Sequence, residues 1–224
     1  MKRVLAAVVV GTVVVLGARA GAGESKPEGL VYKGRPAVDV PLVEKAPVLD
    51  GKLDDEAWAK ATVLSFRPNS GKGDLVNKSE ARVVSTKEAL YIAVRCRDKD
   101  VSKVKAEKRD RDGETWQDDS VEIFLKSGED FEKPYGQFTV NAKGSIHDSW
   151  DKDADWNAKG YQVAAGTEEK AWVVEAVIPF ADLKLPEKKE ELARGWRLDI
   201  FRNRQERDNE DMEDSAWSPT EDHS

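Results

Sequence analysis

The sequence is poor in the residues that most often carry chemistry. It has one cysteine, two histidines and two methionines. With Cys96 alone, no intramolecular disulfide can form, and a Cys-rich scaffold is excluded. His147 lies in Ser145-Ile146-His147-Asp148 without a His-x-x-His or Cys partner at ligand spacing, and no Ser occupies a G-x-S-x-G elbow. It reads as an exposed residue at a strand end. His223 is the other histidine. A haem module needs an axial Met or His, and the internal choices, Met212 and His147, fall on no strand face in this reading. Long amphipathic helices are also missing. Only Lys184–Arg194, short and highly charged, has room for one beyond a turn or two at Leu53–Lys60.

The one long apolar run is Val4–Leu16, behind Lys2 and Arg3 and ahead of A-x-A sites at Ala18–Ala20 and Ala20–Ala22. That order is a secretory signal, here residues 1–22. Its thirteen residues are too few to span a hydrocarbon core of roughly 30 Å. The expected location is extracellular or periplasmic, with no membrane attachment after cleavage. Removing Lys2, Arg3 and Arg19 leaves 33 basic against 43 acidic residues, a net charge of −10. Such a balance argues against nucleic acid as a partner.

Residues 23–40, polar with Gly and Pro, read as a flexible leader, with order expected from about Pro41. Residues 41–224 then form one domain. Its apolar residues recur with period two: Ala81–Ser85, Leu90–Arg97, Val121–Leu125, Phe138–Val140, Trp172–Ile178 and Trp196–Ile200. No crossover helix separates these strands, so they pair antiparallel and need two sheets to bury their apolar faces. The fold class is all-β, an antiparallel β-sandwich with a two-sheet architecture of the jelly-roll or immunoglobulin-like kind.

The side chains opposite the core are varied and polar, notably Glu122 with Gln137, Thr139 and Asn141. Trp58, Trp172 and Trp196 fall on apolar faces and read as core. Trp116, Trp150 and Trp156 fall in acidic segments (GETWQDD, HDSWDKD, DADWNAK) and read as exposed. An indole stacks on the C–H face of a pyranose, and carboxylates and amides bond its hydroxyls. The candidate carbohydrate-binding residues are therefore Trp116, Glu122, Gln137, Thr139, Asn141, Trp150 and Trp156. Asp148, Asp151, Asp153 and Asp155 offer hard oxygen ligands, so calcium is the one cofactor the pattern admits; no cofactor is otherwise expected. Trp156 stands where an EF-hand loop needs Gly, and Gln162 where it needs Glu. Carboxylate pairs for a glycosidase, Glu122 with Asp119 or Glu175 with Asp199, can be drawn, but acidic alternation on a sheet face is commoner.

Seven segments carry a resemblance: V-L-D-G-K-L-D-D-E-A-W at 48–58, L-Y-I-A-V-R-C-R-D at 90–98, R-D-R-D-G-E-T-W-Q-D-D-S-V-E-I-F-L at 109–125, Q-F-T-V-N at 137–141, W-V-V-E-A-V-I-P-F at 172–180, F-R-N-R at 201–204 and S-A-W-S-P at 215–219. In this order the sequence resembles the family 9 carbohydrate-binding modules and the domains similar to them. The resemblance implies a non-catalytic β-sandwich, often joined to xylanases or other secreted enzymes and sometimes holding structural calcium. Its ligands are polysaccharides or oligosaccharides of xylan or cellulose type, held at the reducing end between two Trp. Trp116, in W-x-x-D-[ST]-V-E, takes the place of the first Trp, and Glu122 that of a binding carboxylate. Asn141 lies on the strand with further contacts. Thr139 departs from the pattern, standing where binding members carry Arg. The second Trp and a closing Phe-Gly strand are expected near or past Ser224, so the domain is expected to stop short of its last strand, with a catalytic domain beyond residue 224. Two other readings remain open: a structural cell-surface sandwich with a degenerate ligand face, and a glycoside hydrolase built on Glu122.

Overall fold

A computed structural model describes residues 13–15, 30–32, 35–127, 134–151, 153–184, 196–207 and 210–218. The signal segment other than 13–15, the expected 184–194 helix beyond Lys184, and His223 lie outside them. The strands are β1 (Val13–Val15), β2 (Leu30–Tyr32), β3 (Arg35–Asp39), β4 (Thr62–Ser65), β5 (Arg67–Pro68), β6 (Ser79–Ser85), β7 (Ala89–Arg97), β8 (Ser120–Ser127), β9 (Gly136–Asn141), β10 (Ile146–Trp150), β11 (Gln162–Glu168), β12 (Ala171–Pro179), β13 (Trp196–Arg204) and β14 (Glu213–Ala216). One short helix, α1 (Glu56–Ala59), precedes β4.

Two sheets form. The first runs β10-β9-β8-β13, and the far edge of β13 is shared by β1 at Trp196–Arg197 and by β14 at Phe201–Arg204. The second runs β11-β12-β7-β6-β4. All named strand pairs are antiparallel except β1 with β3. Pairing begins ahead of Pro41: β2 and β3 form a hairpin inside the segment read as leader, and Val40 is buried in the core.

The period-two residues do what their spacing predicts. Leu90, Ile92, Val94 and Cys96 of β7, with Trp172, Val174, Ala176 and Ile178 of β12, face Val121, Ile123 and Leu125 of β8 and Trp196, Leu198 and Ile200 of β13 across one core. Burial pushes the Cys96 thiol up to about 12, which removes thiolate chemistry at neutral pH.

A second, smaller cluster sits on the outer face of the five-stranded sheet, where Trp58 and Ala57 of α1 pack on Val84, Ala93 and Val43. The 48–58 segment is pinned there by Glu175, which is fully buried. Its carboxylate accepts from the N–H groups of Asp50 (2.9 Å) and Gly51 (2.6 Å) and from Trp58 Nε1 (2.8 Å). Gly51 has φ +81°, and its added Cβ would lie 2.8 Å from the Ala165 carbonyl carbon. Only glycine meets both demands.

Candidate functional site

The outward residues of the first sheet are set side by side by strand register. Phe201 pairs with Glu122, Glu122 with Thr139, and Thr139 with His147, making one row across β13, β8, β9 and β10. The next row is Asp199, Phe124, Gln137 and Ser149. Glu122 lies at the centre and accepts from Gln137 Nε2 (2.7 Å) and Asn203 Nδ2 (2.5 Å). Burial raises its pKa, opposed by those two amides and by His147. Phe124 packs edge-on to Phe201 at 5.4 Å and beside Tyr135 at 5.8 Å.

Trp116 overlooks this face from a 3-10 turn, Thr115–Gln117, in the connection between β7 and β8. It is 47% exposed, the only aromatic among the large exposed apolar side chains of the described residues. Its ring stands edge-on to His147, 5.8 Å between centroids. The turn is tied down on several sides. Arg109 donates twice to Asp118 (2.8 and 2.9 Å), Asn141 Nδ2 donates to Asp118 (2.7 Å) and the Glu107 carbonyl (2.8 Å), and Gln205 Nε2 donates to the carbonyls of Trp116 and Asp118. Burial acts to raise Asp118, but Arg109 and Asn141 outweigh it and hold the carboxyl below its usual range.

Behind the turn lies a buried charge network. Oδ2 of Asp98 meets Arg202 (3.3 Å), Arg204 (3.1 Å) and Arg207 (2.9 Å), and Arg207 reaches on to Asp119 (2.8 Å). Asp119 in turn accepts from the N–H groups of Lys105 and Gln205. The R-C-R-D, W-Q-D-D and F-R-N-R segments are thus joined in space, and their charges fix the base of the loop that carries Trp116.

Four expected site residues take other places. Asn141 is fully buried; besides its two donor contacts, its Oδ1 accepts from the N–H groups of Lys143 and Ser145. It positions the Trp116 loop and leaves no polar atom for a ligand. Thr139, 2% exposed, forms floor between Glu122 and His147. Trp150 ends β10 with inward parity and is buried against Trp156, whose ring also meets Phe138. These two indoles join the core instead of lining the polar face. The acidic residues around them concealed this, because one of those acids is itself turned inward.

That acid is Asp148, fully buried, which accepts from Arg111 Nη2 (2.5 Å) and from the Ala158 N–H (2.6 Å). Asp151, Asp153 and Asp155 stay exposed, and among the described residues no three metal-ligating side chains come together. The 148–155 acids therefore do not fit a calcium cage. The drawn catalytic pairs do not assemble either. Glu175 and Asp199 lie on the outer faces of opposite sheets, and Asp119 is occupied by Arg207 and two backbone donors.

Three members of the face, Phe201, Asn203 and His147, were not picked out from the sequence. The alternation of F-R-N-R on β13 assigns Phe201 and Asn203 to the outward side, but their neighbour Glu122 depends on register, which one sequence does not display. His147, read as lying off any strand face, is on the outward face of β10.

Residues 49–224 match the model of the carbohydrate family 9 binding domain-like family. No curated protein matches the chain significantly. Among solved structures, a putative carbohydrate-binding protein from Bacteroides uniformis is similar at TM-score 0.62 and 13% identity, over 84% of this chain and 91% of the other. A family 9 carbohydrate-binding module from Caldicellulosiruptor kristjanssonii is similar in its cellotriose complex, at TM-score 0.52 and 16% identity over 78% and 85%, and in its glucose complex, at 0.51 and 17% over 80% and 89%. The fold, the ordered segments and the family match agree: this chain belongs to the carbohydrate family 9 binding domain-like family.

Proposed function

We propose that the chain is an exported, non-catalytic module that binds a glycan on the face between Trp116 and Glu122, in support of polysaccharide breakdown by a catalytic partner. The observation that carries this reading is Trp116. A half-exposed indole rides on a turn tied down by Asp118, Asn141 and Gln205, over a sheet face whose centre is a carboxylate flanked by two amides. Stacking on one indole with a few hydroxyl contacts corresponds to a Kd of about 10–100 μM, roughly −5.5 to −7 kcal/mol. Ligands of cellulose type come first, since structural neighbours were solved with cellotriose and glucose, and xylan type follows from the sequence resemblance alone.

Calorimetric titration with glucose, cellotriose and xylotriose tests this. Binding of at least one, lost in Trp116→Ala, is expected; no heat with any of them at millimolar concentration would refute it. A structural sandwich is the competing reading, favoured by Glu122 having its donors supplied from within the protein. On that reading Trp116→Ala lowers the melting temperature and the wild type binds no glycan. Export rests on residues 1–22, whose cleavage removes β1. N-terminal sequencing of the secreted protein is expected to start near residues 21–23, and an intact Met1 in that material would contradict it.

A further inference from the structure

We infer that His147 is a glycan-contacting, specificity-determining residue of this face; the inference rests on the carbohydrate-binding reading above. Three observations carry it. Register puts His147 in the same outward row as Glu122 and Thr139, one strand beyond Thr139 and two beyond Glu122. Its ring is perpendicular to the indole of Trp116 with 5.8 Å between centroids, so the imidazole borders the side chain on which a sugar would stack. Its Nδ1 is buried with no hydrogen-bond partner, 3.8 Å from Asp112 Oδ1, so the exposed 16% of the side chain belongs to its other atoms.

The chemistry follows from that orientation. With Nδ1 buried and without a hydrogen-bond partner, Nε2 is the ring nitrogen left to exchange a hydrogen bond with a sugar hydroxyl. Thr139, next in the row, is almost wholly buried and too short to do this. The residue therefore gives the face a directed polar contact at the Trp116 end, separate from the Glu122 centre. Sugars presenting an equatorial hydroxyl beside the stacked ring face gain it, and sugars lacking that hydroxyl do not.

Titrating cellotriose into the full chain and into Trp116→Ala, His147→Ala and His147→Gln, each first shown to melt cooperatively, decides the matter. His147→Ala is expected to raise Kd about tenfold, and His147→Gln, which restores a polar atom at the ring's far edge, to stay within about threefold of wild type. If the wild type binds, Trp116→Ala abolishes binding and His147→Ala stays within twofold, the role of His147 is refuted and the binding face stands. Equal loss in His147→Ala and His147→Gln refutes it too. No binding by the wild type to cellotriose, glucose or xylotriose removes the face and this residue's role together.

Discussion

Three hydrogen-bond donors converge on the Glu175 carboxylate, and the 48–58 segment supplies all of them. Burial raises the pKa of this group, and the donors from Gly51, Trp58 and Asp50 oppose the rise. Replacing it with Ala orphans two backbone N–H groups and a buried indole N–H together. Glu175→Ala is expected to cost about 3 kcal/mol in urea unfolding; a loss under about 1 kcal/mol would show that the α1 segment docks by apolar packing alone. The two partners differ in legibility. Trp58 announces itself as core by its apolar spacing, whereas Glu175 alternates on its strand like any solvated acid. Only the docking of a distant glycine turn reveals its role. Trp150 fails in the opposite direction, since its acidic neighbours disguise a core side chain.

β10 and the Trp116 loop show how an element hides or displays its pattern. In β10, Ile146, Asp148 and Trp150 point inward and His147 and Ser149 outward, so the period of two is intact. One inward position is a carboxylate paired with Arg111, and that single charge breaks the apolar alternation by which the other strands were read. β11 escaped for another reason: it is an edge strand of small residues, Val163-Ala164-Ala165-Gly166 at its centre, with little contrast between faces. The long 105–119 connection is ordered by side-chain bonds, with Asn141 at their meeting point. Asn141→Ala is expected to cost about 2–3 kcal/mol and to weaken glycan binding severalfold without touching glycan, with increased acrylamide quenching of Trp116. Unchanged quenching beside lost stability would separate Asn141 from the Trp116 turn.

Among the described residues, five sequestered carboxylates fall into two groups with opposite pH behaviour. Burial acts to raise Asp98, but the Asp100 N–H, Arg207 and Arg204 outweigh it, and Arg109 and Asn141 do the same for Asp118. The stability these two supply is complete above the unfolded carboxylate value of about 3.9 and is lost as pH falls through their lower folded values. Glu122, Asp148 and Glu175 are raised, burial being the largest cause in each. Their contribution is complete below the unfolded value and is lost as pH rises through the raised folded values. The melting temperature is therefore expected to peak near the unfolded carboxylate value, about pH 4, falling on the acid side through Asp98 and Asp118 and on the alkaline side through Glu122, Asp148 and Glu175. A melting temperature that climbs steadily from pH 5 to pH 8 would contradict this division.

The sandwich itself was legible because six strands carry clean alternation and no long amphipathic pattern interrupts them in the sequence. The site was legible only in part, since which outward residues become neighbours is set by register and by a loop held in place by buried ions. Trp116 is where these scales meet, and an indole N–H titration tests it most directly. The chain has seven Trp, each giving one indole signal in a 1H–15N spectrum. On adding cellotriose, or xylotriose if that is the ligand bound, a large shift of the Trp116 indole is expected, with Trp150 and Trp156 unmoved. Shifts centred on Trp150 or Trp156, or none at saturating millimolar glycan, would contradict it.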